Sequence, residues 1–371
     1  MLCASAVNRH LMRFAESLIA VAFSLIACAQ EPPESTLKTG SSTLDPRSST
    51  FEKGIALGLY SADPDHSYVA EIEEIAALGA DSVSLIVVWM QGDIASTEIR
   101  SVPGRTVSEE RLVEALRAAE RLNLHTLVFP IVLLEKASEG EWRGRLAPVD
   151  LDAWFASYGA KITALAQIAE REGAESFSIG SELSSLEKNS GRWRELIAAV
   201  RARFSGRLTY TANWDHLRTI DFWSELDFVG VSAYFELATA NDTPEDWLTG
   251  AWEIHRDRLL DWHAQDVPEM PLVITEVGYA SQDGIAQHPW NYTLNGPLDL
   301  EEQRQCYAAF IRAWDGVESF RGVYFYEWGG DGGGSSDTSY TPKGKPAEDL
   351  IRAWFTRGEV PPLPASTETK L

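Results

Sequence analysis

The chain has 371 residues, 44% of them hydrophobic and 23% charged, enough apolar material for one large core and too much for a disordered polymer. Its 32 basic and 55 acidic residues give a formal net charge of −23, which repels phosphate backbones and anionic bilayers and argues against a nucleic-acid partner. The 13 tryptophans point to flat apolar surfaces suited to stacking.

Residues 18–28, LIAVAFSLIAC, form a short apolar run behind Arg9 and Arg13, with a second candidate start at Met12. Too short to span a bilayer, the run reads as a signal-peptide core and predicts export. It closes on Leu25-Ile26-Ala27-Cys28, which is similar to the lipobox of bacterial lipoproteins. That resemblance implies cleavage before Cys28, a lipid on the cysteine and a cell-envelope location, periplasm or outer membrane, with the lipid as the one link to a membrane. Ordinary cleavage near Ala27 or Ala29, leaving a secreted protein, is the alternative. Residues 29–50, rich in Pro, Ser and Thr without an apolar period, read as a tether, and 358–371 as a flexible tail. The folded domain is thereby placed at 51–357. It contains one cysteine, Cys306, so no disulfide within the domain is expected.

From residue 54 onward, short apolar runs alternate with longer amphipathic segments. The runs are GIALGLY (54–60), SVSLIVVWM (82–90), HTLVFPIVLL (125–134), SFSIGSEL (176–183), LTYTANW (208–214), DFVGVSAYF (227–235), PLVITEVGY (271–279) and GVYFYEW (322–328). Most are apolar on both faces, the pattern of parallel strands covered by helices. Helix starts are marked at Ser108 before the segment 108–122, at Thr243-Pro244 before 243–263, and at Asp299-Leu300-Glu301-Glu302, a variant capping box. Between the fifth and sixth runs only HLRTIDFWSEL intervenes, which predicts an irregular unit. Eight such units predict an α/β fold, the closed (β/α)₈ TIM barrel, and no GxGxxG follows the first run to suggest a doubly wound sheet.

Barrel enzymes work at the C-terminal ends of the strands, so the residues ending each run are the candidates. The second run ends in Trp89 and Gln91, the fourth in Ser181-Glu182, and the fifth in Asn213-Trp214-Asp215-His216. The sixth ends in Tyr234, the seventh in Glu276 and the eighth in Glu327 and Trp328. A lone strand-end glutamate is ordinarily a solvated loop residue. Glu182 and Glu276 on facing strands instead suit glycosidic-bond cleavage, which needs an acid and an anion flanking one bond, about 5–5.5 Å apart where configuration is retained. Trp89, Trp214 and Trp328 are candidates to stack on sugar faces, whereas Trp154, Trp193, Trp252 and Trp262 sit in helical segments and read as packing. His216 either binds a sugar hydroxyl or caps its loop. No HxxH or HExxH spacing occurs, so neither a metal nor another cofactor is expected. The glycines at 329–334, without a following Lys-Ser/Thr, read as a flexible rim loop.

The segments SIGSELSSLE, FWSELDFVGVSAYFEL, VITEVGYAS with HPW after it, and YEWGGDGGGSSDTSYTPKGKPAEDLIRAW resemble glycoside hydrolase family 113, within the clan of retaining (β/α)₈ glycosidases, over residues 54–356. The resemblance implies Glu182 as acid/base and Glu276 as nucleophile, with Tyr234 holding the nucleophile and Trp328 flooring the subsite at the scissile bond. Ser181 stands where most of the clan has an asparagine that contacts the sugar 2-hydroxyl. A polysaccharide or oligosaccharide substrate is implied, foremost β-1,4-mannan. Two other readings stand beside it: the same chemistry on another β-glycan, and a non-catalytic glycan-binding barrel.

Overall fold

The computed structural model describes residues 51–329 and 332–363. The signal segment, Cys28, the tether at 29–50 and the end of the tail at 364–371 lie outside the described residues. Every apolar run becomes a strand. In chain order they are β1 (Glu52–Gly58), β2 (Ser82–Gln91) with the two-residue β3 (Ile99–Arg100) folded back on it, β4 (His125–Leu134), β5 (Ser176–Ser181), β6 (Arg207–Asn213), β7 (Val229–Ser232), β8 (Leu272–Val277) and β9 (Phe320–Trp328). The sheet order is β1-β9-β8-β7-β6-β5-β4-β2-β3, and β1 also pairs with β2. The pairs Gly54↔Ser82 to Gly58↔Ile86 close the ring in parallel register. The eight long strands form a closed parallel barrel, consistent with the (β/α)₈ expectation; only β3 runs antiparallel.

The helices are α1 (Val69–Ala77), α2 (Glu109–Arg121), α3 (Leu151–Arg171), α4 (Ser190–Arg201), α5 (Glu245–Asp266), α6 (Leu300–Trp314) and α7 (Pro346–Arg357). Between β6 and β7 the chain makes only 3₁₀ turns at Leu217–Thr219 and Trp223–Glu225, where the sequence is too short for a packed helix. Ser108 caps α2, accepting from the Arg111 N–H at 3.3 Å. The start of α5 differs from the expected Thr243 cap: Thr243 donates its hydroxyl to the Ala240 carbonyl at 2.7 Å, and Pro244 itself takes the N-cap position. At α6, Asp299 accepts from the N–H groups of Glu301 and Glu302. Glu302 does not reach back to complete a capping box. Its carboxylate instead accepts from the Gly284 and Ala286 N–H groups at 2.8 and 2.9 Å, pinning the β8–α6 loop to the helix. Past Gly358, the left-handed C-cap of α7, the chain lies on α6, where Arg312 Nε donates to the Pro361 carbonyl at 2.7 Å.

Strand alternation divides the core into two layers. Ile86, Val88, Met90, Phe129, Ile131, Phe228, Val273 and Tyr324 fill the barrel interior. Val83, Leu85, Val87 and Trp89 of β2 face the helices, together with Trp154, Trp193, Trp252 and Trp262. The four helical tryptophans are therefore packing residues, with Trp154 stacked on Tyr158 at 4.9 Å. Cys306 is buried in the same layer, and burial pushes its thiol well up, so it carries no thiolate chemistry. At the N-terminal end of the barrel, Glu52 accepts from the Tyr324 hydroxyl at 2.7 Å and pairs with Arg207, whose guanidinium lies 5.1 Å over the Phe228 ring. That end is filled by polar pairs.

Candidate active site

The two glutamates owe their aim to irregular strands. β5 pairs with β6 as Ser178↔Thr209 and next as Ser181↔Thr211, so an extra residue is inserted just before Ser181. β8 does the same against β7, where Val231↔Ile274 is followed by Ser232↔Glu276. Each bulge breaks the in-out alternation immediately before a glutamate and re-aims it. Glu182 then adopts φ of 51°, a left-handed conformation that costs a non-glycine residue on the order of 1 kcal/mol, while its N–H donates to the Thr211 carbonyl at 2.8 Å. Beyond Glu276, Gly278 is required: a Cβ there would lie 1.9 Å from the Tyr326 carbonyl oxygen.

Both carboxyls end at the barrel mouth, with β6 and β7 between their strands on one side, and both are buried, Glu182 at 5% exposure and Glu276 at 4%. Tyr234 donates its hydroxyl to Glu276 Oε1 at 2.8 Å, and Glu276 Oε2 has no hydrogen-bond partner among the described residues. An unpartnered buried carboxylate oxygen costs free energy, and Oε2 keeps its acceptor capacity unused. Arg143, from the 3₁₀ turn Arg143–Arg145 between β4 and α3, places Nη2 2.6 Å from Glu182 Oε2. Burial opposes the arginine charge, but the carboxylates of Glu182 and Glu276 outweigh it and hold the guanidinium above its ordinary value.

Desolvation, reinforced by the Glu182 charge, pushes Glu276 up to about 7, against the pull of Arg143 and of the Tyr234 hydroxyl. Two like-charged groups in one dry site titrate together. Glu276 therefore takes up a proton as the pH falls through about 7, and one proton at the site is what a glycosidase with one acid and one nucleophile requires. A third carboxyl stands at the rim. Glu327 accepts from the Tyr60 hydroxyl and is itself pushed to about 7 by desolvation, with the Tyr60 and Tyr326 hydroxyls working the other way.

Three tyrosine rings wall the mouth. Tyr326 lies 6.3 Å from Tyr234 and 5.6 Å from Tyr340, edge to face. Tyr340 is carried by the rim loop after β9 and donates its hydroxyl to the Pro289 carbonyl at 2.7 Å. Lys345 clasps that loop. Its side chain is 0% exposed, and Nζ donates to Asp337 Oδ1 at 2.7 Å, Ser281 Oγ at 2.8 Å and the Ser339 carbonyl at 3.0 Å. The lysine and the Ser339 hydroxyl draw Asp337 down to about 2, against desolvation. Since that value lies below an unfolded aspartate, the clasp is at full strength above about pH 4 and is lost as the pH falls through about 2. Replacing Asp337 with alanine strands the ammonium in a dry site, with an expected loss of about 3 kcal/mol in denaturant unfolding. An unchanged unfolding midpoint would show that the loop relaxes freely.

The other candidates divide. Ser181 is buried beside Glu182 with no partner for its hydroxyl among the described residues, and Asn213 shares the inward face of β6 with Thr209 and Thr211. Trp214 is half-buried and leans on Phe235 at 4.9 Å. Trp89 turns to the helices, edge-on to Tyr158 at 5.9 Å, because β2 keeps regular alternation and its outward face holds Val83, Leu85 and Val87. Trp328 also faces away from the mouth: three β9 steps match two on β1 between Phe325 and Trp328, and the extra residue flips the indole outward, where Nε1 donates to Glu74 of α1 at 2.8 Å. Tyr326 is the ring that faces Glu276 in its place. His216 caps its loop by bonding Glu187, 3.2 Å away. Arg143 escaped the sequence reading because nothing in the segment 135–150 marks its aim. Asp283, Asp299 and Glu302 are the group whose carboxylate oxygens lie within 4.8 Å of one another among the described residues. Two of them are already occupied with the backbone N–H groups at the start of α6 and in the β8–α6 loop.

A closed parallel barrel that brings two coupled carboxyls, a tyrosine hydroxyl and a wall of aromatic rings to its C-terminal mouth is the machinery of a glycoside hydrolase. Residues 56–345 match the model of Glycoside Hydrolase Family 113, and the chain belongs to that family. Among solved structures, the family 113 β-mannanase of Alicyclobacillus acidocaldarius is similar at 28% identity and a TM-score of 0.74, over 83% of this chain and 97% of its own. A family 113 β-1,4-mannanase is similar at 25% identity and a TM-score of 0.73, over 83% and 99%. A β-glucuronidase from Ruminococcus gnavus shares the fold alone, at 13% identity and a TM-score of 0.57, over 82% of this chain and 50% of its own. No curated protein sequence matches the chain significantly.

Proposed function

We propose that the enzyme hydrolyses β-1,4-mannan or its oligosaccharides with retention of configuration. Glu276 Oε2 attacks the anomeric carbon as the glycosidic C–O bond breaks, and Glu182 gives its proton to the departing oxygen. Water then attacks the same carbon, its proton passing to Glu182 while the ester bond to Glu276 breaks and returns its electron pair to the carboxylate. The observation that carries this reading is the pair of buried carboxyls at the strand ends, with one oxygen of Glu276 held by Tyr234 and the other unpartnered. The choice of mannan rests on the 28% identical β-mannanase.

The test is product release from β-1,4-mannan, glucan, xylan and galactan. Manno-oligosaccharides from mannan are expected. Cleavage of another member instead assigns the same chemistry to that glycan, and binding without cleavage throughout leaves a glycan-binding barrel. We propose further that the protein is exported and anchored by a lipid on Cys28; mass spectrometry of the membrane fraction checks this, and an unmodified mature N-terminus would reject it.

A further inference from the structure

The resting geometry sets a problem for the first half of that cycle. Glu182 must be a neutral acid when it meets the leaving oxygen, yet its Oε2 lies 2.6 Å from the Arg143 guanidinium in an ion pair that needs the carboxylate. In the second half-reaction Glu276 is an uncharged ester and Glu182 acts as the base, the state this pair favours.

We propose that Arg143 is a positioning residue for the acid/base cycle, holding Glu182 as the carboxylate of the second half-reaction and releasing it when the glycosidic oxygen enters. The inference rests on the double-displacement reading above. Its structural basis is threefold. Arg143 is anchored on a short turn rather than on a barrel strand, and Nε is buried with no partner among the described residues, so the guanidinium is not locked by a full set of bonds. The Trp142 ring, 5.9 Å from the guanidinium carbon, already supports the cation from a face other than Glu182, a contact that does not depend on the carboxylate. That ring lies over Gly144, where a Cβ would come within 2.3 Å of it, so the turn is shaped to keep indole and guanidinium together.

The groups acting on this device come from several elements. Glu182, Glu276, Tyr234 and Tyr326 act on Arg143, and Glu327 and Tyr340 act with them around Glu276. While Arg143 stays on Glu182, the shared proton resides on Glu276. An incoming sugar that displaces the guanidinium lets the proton pass to Glu182 and leaves Glu276 ionised for attack. The arginine thereby couples substrate entry to the placement of one proton.

The test uses the full chain and its Arg143→Met and Arg143→Lys variants on mannohexaose and on 2,4-dinitrophenyl β-mannobioside, whose good leaving group makes the second half-reaction limiting. Removing a charge this close lets the pair keep its proton to higher pH. The alkaline limb of kcat/KM on mannohexaose is expected to move up by about one pH unit or more in Arg143→Met, and the acidic limb of kcat on the aryl substrate in the same direction. Arg143→Lys, which keeps the charge, should restore both limbs. If Arg143→Met does not fold, Arg143→Gln carries the same expectation. Variants with a lower unfolding midpoint but unmoved limbs overturn the inference alone. A wild type silent on both substrates, or a Glu276→Ala variant that stays active, overturns the double-displacement reading and this inference with it.

Discussion

On the proposed double-displacement reading, Glu276→Ala is expected to lose kcat on mannan by a factor on the order of 10⁴ or more, because the covalent route through Glu276 closes. Glu182 is turned over the mouth by its left-handed backbone and paired with Arg143, and Glu327 is engaged with Tyr60. The fold is expected to survive, since burial opposes this carboxylate and its removal gives up one side-chain hydrogen bond, that from Tyr234. The decisive measurement adds sodium azide to the variant with an activated β-glycosyl fluoride or aryl glycoside. A small anion occupying the empty nucleophile space inverts the anomeric carbon once and yields the α-glycosyl azide. A β-azide, or unaltered hydrolysis without azide, would remove Glu276 from the nucleophile role.

On the same reading Glu182→Ala is expected to have the second largest effect, one that depends on the leaving group. On mannan, where the departing sugar alkoxide needs a proton, turnover falls by about 10²- to 10⁴-fold. On 2,4-dinitrophenyl β-mannobioside, whose phenolate leaves unaided, the first step is nearly unimpaired and the glycosyl-enzyme accumulates, seen as a burst of phenolate followed by slow release. Azide now enters from the face vacated by Glu182, and the second inversion gives the β-azide. Equal losses on both substrates would mean that Glu182 serves only to shape the site. The opposite azide stereochemistry of the two variants separates acid/base from nucleophile more sharply than either rate does.

The wild-type pH profile follows from the same pair. If the pair works with one proton, as the proposed mechanism requires, and Glu276 stands near 7, activity is expected to fall as the pH rises through the neutral range.

The eight β-rich runs and the intervening amphipathic segments determine the barrel, because parallel strands buried on both faces and helices with one apolar stripe are local patterns that short stretches carry by themselves. Glu182 and Glu276 could be picked out on the same footing: once a run is a barrel strand, its C-terminal end is at the mouth. Even the missing helix between β6 and β7 is written in the chain, in a connection too short to hold one.

Only the tertiary structure decides which way a strand-end side chain points. Alternation would turn Tyr324, Tyr326 and Trp328 to the same face, but the extra β9 residue opposite β1 sends Trp328 to α1 and leaves Tyr326 at the mouth. The bulges before Glu182 and Glu276 act in the same way, and each arises from the match between two strands far apart in sequence. The position of Arg143 depends on the packing of one loop turn against another, and that of Tyr340 on a clasp between Lys345, Asp337 and Ser281. Local sequence sets the elements and their order; the aim of each functional group is set by pairings and loop contacts that exist only once the barrel has closed.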